Sequence, residues 1–378
     1  MKTTTQQQRA TVVRATVVMT TINSPRTEIL RRWRSVGQVI VVGDAKTPHT
    51  AWNKCANVSQ FISNEYTRGT EPLDRRYLPG ILGARGTVLY YLLPQNSYSR
   101  KMLGYIAAMR LRPDTTHIVD TDDDNIPTPT FYMPPFQGKF FSVAHSSTPW
   151  TNIHAVTAEP GATWPRGFPL SKIVGSKCEI DYIGRNVKIG VWQGLVDGDP
   201  DVDAIHRLTG QTVKFRPTVP VVIAPGSVCP FNSQNTVWDA RLLPLMYLPT
   251  EVEFRYADIL RSVVAQPIMR GLGLALGFYG PTAIQTRNEH KLMDDFADEL
   301  SMYTTVEEAY EACTEACASA KNAVDALRRS YAALENRSII TSIGMEHEQL
   351  ECWLSAVPSK MLKELRDRPW KTHAPRRA

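Results

Sequence analysis

An α/β fold, a mixed sheet flanked by helices, is predicted by three features of the sequence. Strand-length apolar runs alternate with helical spacing through residues 12–119, the pattern of strands joined by crossover helices. One of those runs, QVIVVG at 38–43, is apolar at nearly every position, as in a strand covered on both faces. The last third carries a long apolar stripe at helical spacing, which predicts a C-terminal helical extension.

The elements follow in order. Residues 12–22 (VVRATVVMTTI) are rich in Val and Thr and predict a strand. A short basic helix is expected over 27–36, then the strand at 38–43. TVLYYLL at 87–93 reads as a third strand. Met102, Leu103, Ile106, Met109 and Leu111 give helical spacing over 99–111, and Pro113 closes that helix. Residues 116–119 form a short strand that runs straight into an acidic loop. The Pro- and Gly-rich stretch 125–187 predicts long loops and edge strands around a site. Further strands are expected at 188–196 and 219–224. A helical pattern spans 256–276, with a kink or break expected at Pro267.

In the last third, Val306, Tyr310, Cys313, Cys317, Ala320, Val324, Leu327, Tyr331 and Leu334 step alternately by four and three, a heptad stripe. Thr304 with Glu307, or Thr305 with Glu308, suits a capping box at its start. The stripe fits a tight intramolecular helix pair, with 347–366 as the partner, or alternatively a coiled-coil homodimer. The organisation expected is a flexible tail at 1–11, an α/β domain at 12–300, a helical extension at 301–366 and a basic tail at 367–378.

Composition narrows the function classes. Of 378 residues, 43% are hydrophobic and 21% charged, which excludes a disordered or fibrous chain. No run approaches the ~20 apolar residues of a membrane span. The Thr- and Gln-rich start lacks a signal-peptide core, so a cytoplasmic chain is expected. The net charge of +6 suits an anionic ligand. The six cysteines include no CxxC pair, which argues against a zinc ribbon, and Cys313 and Cys317 read as core-facing helix neighbours.

The strongest chemical signal is Asp120-Thr121-Asp122-Asp123-Asp124-Asn125, directly after an apolar strand. Carboxylates so close repel one another, and a cation relieves that repulsion. Magnesium or manganese bridging a diphosphate takes only one or two carboxylates from the protein. Strand ends of α/β sheets are also where ligands bind. The alternative is a solvated acidic loop.

The DDDN after an apolar strand resembles the DxD motif of GT-A glycosyltransferases. A narrower resemblance, to the STELLO-type glycosyltransferases and the related reversibly glycosylated polypeptides (UDP-arabinopyranose mutases), rests on ordered stretches. These are VVMTTINSP (17–25), VVGDAKTP (41–48), SRKMLGYIAAM (99–109), DTDDDN (120–125), WPRGFPL (164–170), QGLVDGDPDVDAIHRLT (193–209), PFNSQNT (230–236) and FRYADILRS (254–262). The resemblance implies a GT-A (Rossmann-like, nucleotide-diphospho-sugar transferase) fold over 12–300, a UDP-sugar donor and Mn2+ or Mg2+. It also implies residue roles. Thr20, Thr21 and Asn23 face base and ribose, and Asp44 accepts from the uracil N3–H. Arg100 and Lys101 hold the diphosphate. Asp124 ligates the metal, Asp122 contacts the ribose or the metal, and Asp123 stands beside them in the donor site. His290, in RNEH at 287–290, returns to the metal.

Arg166 lies in a loop fixed by two prolines and a glycine. It matches the arginine that becomes glycosylated in the reversibly glycosylated polypeptides. A guanidinium is a poor nucleophile and a good clamp, so donor binding is preferred. Asp199, Asp201, Asn232 and Gln234 suit sugar or acceptor hydroxyls. Asp258 stands where inverting GT-A enzymes hold a base. The leading expectation is a metal-dependent transferase acting on an acceptor hydroxyl of a glycan, a protein or a modified nucleic acid. The alternatives are a nucleotide-sugar mutase and a non-catalytic scaffold that binds partners through its helices.

Overall fold

The computed structural model describes residues 13–63, 77–161, 163–174, 177–182, 184–210, 212–287, 291–341 and 344–372. The first half contains β1 (Ala15–Thr21), α1 (Thr27–Val36), β2 (Gln38–Gly43), α2 (His49–Asn53), β3 (Gln60–Ile62), α3 (Tyr77–Leu92), α4 (Lys101–Leu111) and β4 (His117–Thr121). The middle contains β5 (Asn125–Pro127), β6 (Gln137–Phe140), β7 (Ser142–His145), α5 (His154–Thr157), β8 (Glu179–Asp181), β9 (Arg185–Gly198), α6 (Ala204–Leu208), β10 (Thr218–Ile223) and β11 (Asn235–Asp239). Then follow α7 (Ala257–Gly271), β12 (Ala275–Gln285), α8 (Leu292–Ala318), α9 (Ala323–Asn336), α10 (Met345–Ala356) and α11 (Ser359–Asp367).

One mixed sheet runs in the order β3-β2-β1-β4-β11-β9-β12-β10-β7-β8, with β5 on β12 and β6 on β9. The first four strands are mutually parallel, and β11 enters antiparallel between β4 and β9. Successive residues of β1 face opposite layers. Val18 joins Ile40, Val42, Ile106 and Trp238 under α3, α4 and α7, whereas Val17 and Met19 join Trp33 of α1. Both faces are therefore buried, which explains the unbroken apolar character of β2. Helix α4 lies close against the sheet because Gly104 has no side chain; a Cβ there would meet Val18 Cγ1 at 2.4 Å.

Several expectations need correction. TVLYYLL is the end of helix α3, not a strand. Leu82, Leu89, Tyr90 and Leu93 are buried in the helical layer, so the aromatic and β-branched composition is overridden by packing. Helix α7 continues through Pro267, and the helical pattern stops at Gly271 before strand β12. The heptad stripe belongs to two helices, α8 and α9, separated at 319–322, where the Asn322 side chain caps α9. Its apolar residues are buried within the chain. Thr304 and Thr305 lie inside α8, which starts thirteen or so residues earlier, so neither begins a helix. Residue 300, the expected domain boundary, also falls inside α8. The start of the basic tail is docked: Lys371 N donates to Gly271 O at 2.9 Å and Trp370 packs over Gly271. The tail at 1–11 and residues 373–378 lie outside the described residues.

Candidate active site

A cavity of about 570 Å3 opens where the parallel strands β1, β2 and β4 end. Three neighbouring strands deliver Thr21, Gly43-Asp44 and the acidic run to one crevice, as open α/β sheets do. Thr20, Thr21, Asn23, Asp44, Arg100, Asp122, Asp123, Asp124, Arg166, Asp201, Gln234 and Asp258 all line it. These residues span more than two hundred positions of the chain.

Each carboxylate of the acidic run has its own support. Asp120 is fully buried behind the cavity, between Lys101 Nζ at 2.7 Å and Arg261 Nη2 at 2.9 Å. Asp122 Oδ1 accepts from Lys101 Nζ at 2.9 Å and from the Tyr98 hydroxyl at 2.8 Å. Asp123 Oδ2 accepts from the Thr21 hydroxyl and from Asn23 Nδ2 at 3.1 Å, which ties the acidic loop to the end of β1. Asp124 Oδ2 accepts from Gln285 Nε2 at 2.8 Å, which ties it to β12.

Asp123 and Asp124 make no ion pair among the described residues. Burial, with Asp122 next in weight, raises the Asp124 pKa to about 7. A cation in the cavity would meet two carboxylates that make no ion pair among the described residues, so this donor set fits Mg2+ or Mn2+. Among the described residues there is no group of three or more His, Cys, Asp or Glu side chains arranged to hold a metal alone. His290 lies outside the described residues.

Lys101 does not reach the cavity. It is fully buried; burial alone would favour its neutral form, but Asp120 and Asp122 hold it protonated. It is the counter-ion of the acidic strand end rather than a diphosphate clamp. The 3-10 turn Tyr98–Arg100 leading into α4 aims the two basic residues differently: Arg100 lines the cavity near Asp44, at 3.7 Å, while Lys101 points inward. Asp44 receives Ala45 N at 2.7 Å and Ser97 N at 3.1 Å.

The opposite wall is an arginine–carboxylate network. Arg166 Nε donates to Asp201 Oδ2 at 2.8 Å, Nη2 donates to both Asp258 oxygens at 3.0 Å, and Nη1 donates to the Arg255 carbonyl. Burial disfavours the Arg166 charge, but Asp201 and Asp258 more than offset this and hold its pKa well above the usual value. Asp258 also accepts from Ser233 N at 3.1 Å. With both oxygens engaged, Asp258 acts in this state as an anchor for Arg166 rather than as a free base.

The expected hydroxyl binders are engaged as well. Burial would raise the Asp201 pKa, yet Arg166 and Arg255 hold it well below the usual range. Asp199 lies off the cavity lining and pairs with Arg207 and with Arg287 Nε, the latter at 2.9 Å. Asn232 donates to Asp201 Oδ2 at 3.0 Å and accepts from Gln234 N at 3.0 Å, so it caps its own loop and faces a smaller neighbouring void. Gln234 reaches the main cavity and donates to Gln285.

Tyr98, Phe254, Arg255, Gln285 and Arg287 also line the cavity and were not singled out as site residues. Tyr98 and Phe254 meet edge to face at 5.3 Å between ring centroids. The nearest signals were the basic residue in FRYADILRS and the RNEH segment.

The chain is 25% identical over 274 residues to "Probable glycosyltransferase STELLO1" of Arabidopsis thaliana, covering 67% of this chain and 32% of that protein. It is 25% identical over 297 residues to "Probable glycosyltransferase STELLO2" of the same plant, covering 71% and 35%. The chain thus spans about a third of the length of these curated relatives. No family model matches it. The mixed twelve-stranded sheet with its helical C-terminal region is consistent with a GT-A-like fold. No helix among the described residues is long and apolar enough to cross a membrane.

Proposed function

We propose that the protein is a metal-dependent glycosyltransferase that moves a sugar from a UDP-sugar to an acceptor hydroxyl. The observation that carries this reading is the convergence of three parallel strand ends and the Asp122–Asp124 run, whose Asp123 and Asp124 make no ion pair among the described residues, on one cavity of about 570 Å3, a volume in the usual range of small-molecule sites. Thr20, Thr21, Asn23 and Asp44 face the nucleoside, with Arg100 beside Asp44. Asp122 and Asp124 would hold Mn2+ or Mg2+. When bound, the cation supplies charge neutralisation for the departing diphosphate.

The chain's own residues set the rest. Asp123 fixes the acidic loop on β1 through Thr21 and Asn23, so nucleoside and diphosphate sites keep a constant separation. The Arg166–Asp258–Asp201 network makes a stiff wall on the acceptor side, with Gln234 and Gln285 as neutral donors and acceptors for sugar hydroxyls. The nucleotide-sugar mutase reading is less favoured because Arg166 is held by three partners and stays protonated, which leaves no nucleophilic nitrogen.

The test is incubation with Mn2+ and a panel of UDP-sugars without acceptor, followed by mass spectrometry and NMR. Slow UDP release from one donor, abolished by EDTA and by Asp124→Asn, is the expected result. Ring-form interconversion with UDP still attached would replace the transferase by a mutase.

A further inference from the structure

Arg255 and Arg287 bring two guanidinium groups to the cavity wall from opposite ends of the α7–β12 unit. Arg255 is 6% exposed. Its Nε donates to Glu299 Oε1 of α8 at 2.6 Å, and Asp295 Oδ1 lies 4.0 Å from Nη1. Glu299 is fully buried and also accepts from Ala204 N at 2.7 Å and from the Tyr303 hydroxyl. The rear of Arg255 is therefore fixed. Its buried Nη2 has no hydrogen-bond partner among the described residues; Asp201 Oδ1 stands 3.7 Å away, beyond reach.

Arg287 follows β12. Its buried Nε faces Asp199 Oδ2 at 2.9 Å without the alignment of a hydrogen bond, and Nη2 makes one long bond to Gln285 Oε1 at 3.4 Å. Burial lowers the Arg287 pKa, and neighbouring Arg207 and Arg255 push the same way, against the pull of Asp201 and Asp199. Cations are crowded here although carboxylates stand behind them. A buried N–H without an acceptor costs free energy until one arrives. Two planar forks on one wall match a group with several anionic oxygens.

We propose that Arg255 and Arg287 form an oxyanion subsite in the cavity, taking a phosphate or carboxylate of the bound ligand. Only the identity of that group rests on the donor reading above: in a UDP-sugar it is the outer phosphate or the carboxylate of a uronyl sugar. Glu299 is the positioning residue that keeps the Arg255 fork turned to the cavity, which makes α8 part of the site.

The experiment is titration calorimetry on the wild type, Arg287→Gln and Arg255→Lys. The probes are uridine, UMP, UDP, UDP-glucose and UDP-glucuronate, with inorganic pyrophosphate as a probe free of nucleoside. Circular dichroism and thermal melts confirm folding, and Arg255→Lys keeps the buried charge while losing the fork. The expected result is a loss of about tenfold or more for pyrophosphate and UDP in Arg287→Gln, with uridine unchanged. That result assigns the outer phosphate. A loss confined to UDP-glucuronate assigns the sugar carboxylate and also upholds the subsite. If uridine and UDP fail to bind the wild type while pyrophosphate binds and weakens in Arg287→Gln, the donor reading falls and the subsite stands. Folded variants that bind every anion as tightly as the wild type, or a wild type that binds none, overturn the subsite.

Discussion

The Lys101 ammonium lies 2.9 Å from Asp122 Oδ1, and Asp122 lines the cavity whereas Lys101 does not. It also lies 2.7 Å from Asp120, and neither Lys101 nor Asp120 is exposed. Lys101→Met therefore strips two carboxylates of a buried partner, although Arg261 still serves Asp120. The expected cost is about 3 kcal/mol of unfolding free energy at pH 7, read by urea denaturation. The deficit should shrink as pH falls, because burial raises the Asp122 pKa and its protonation relieves part of the uncompensated charge. A stable Lys101→Met protein with weakened UDP binding would instead restore Lys101 as a diphosphate clamp.

Asp124 gives the site a pH dependence. Its pKa rises from 3.8 to about 7 on folding, so between those values the native chain holds a proton that the unfolded chain has released. Unfolding free energy then falls as pH climbs from about 4 to 7 and levels off above, because fewer protons are bound in the unfolded state over that window. Asp124→Asn removes this slope and raises the stability of the metal-free protein at pH 8 by roughly 1–3 kcal/mol. In the wild type Mn2+ competes with the same proton, so its affinity should rise about fivefold between pH 6 and 7, about twofold more by pH 8 and little beyond. Flat Mn2+ affinity across that range would remove Asp124 from the ligand set.

How much of this was legible in the sequence depends on whether the chemistry is local. Asp122, Asp123 and Asp124 stand together in the chain, after an apolar strand, and that juxtaposition points to a site without any fold. Thr21 and Asn23 could be placed because β1 ends where its apolar run ends. Lys101 was misjudged because a run of two basic residues does not reveal which turn of a helix points inward. The α3 residues 87–92 differ from the expected strand because Thr, Val and Tyr favour strands, and only the burial of Leu89 and Tyr90, while Val88 and Tyr91 stay exposed, decides for the helix. Glu299, Arg255 and Arg287 were out of reach for another reason: they meet only through tertiary contacts among α8, the segment before α7 and the segment after β12.

Arg166 should not accept a sugar. Asp201, Asp258 and the Arg255 carbonyl take its N–H donors, and its charge is locked in place. Intact-mass measurement after incubation with the best donor is expected to show no glycosyl adduct, and peptide mapping no modified residue 166. Arg166→Ala should cost about 3–5 kcal/mol of stability by leaving Asp258 and Asp201 short of a partner in a buried setting. A stoichiometric adduct at Arg166 would favour the mutase reading.

Gly167 sets the Arg166 loop. Its φ is +83°, a conformation that costs other residues about 1–2 kcal/mol. An added Cβ would also stand 2.3 Å from Ile259 Cγ2 in the first turn of α7, one residue beyond Asp258. Gly167→Ala thus combines backbone strain with a steric clash, and relief requires the loop to withdraw from α7. Withdrawal lengthens the contact between Arg166 and Asp258, so stability and donor turnover should fall together, stability by about 2–4 kcal/mol. Adding Ile259→Ala removes the methyl that clashes but not the strain. The double variant should therefore recover part of the lost turnover while its melting temperature stays below that of Ile259→Ala alone. Full recovery of both would mean that the clash alone mattered, and no loss in Gly167→Ala would mean that the loop does not hold Arg166 in place.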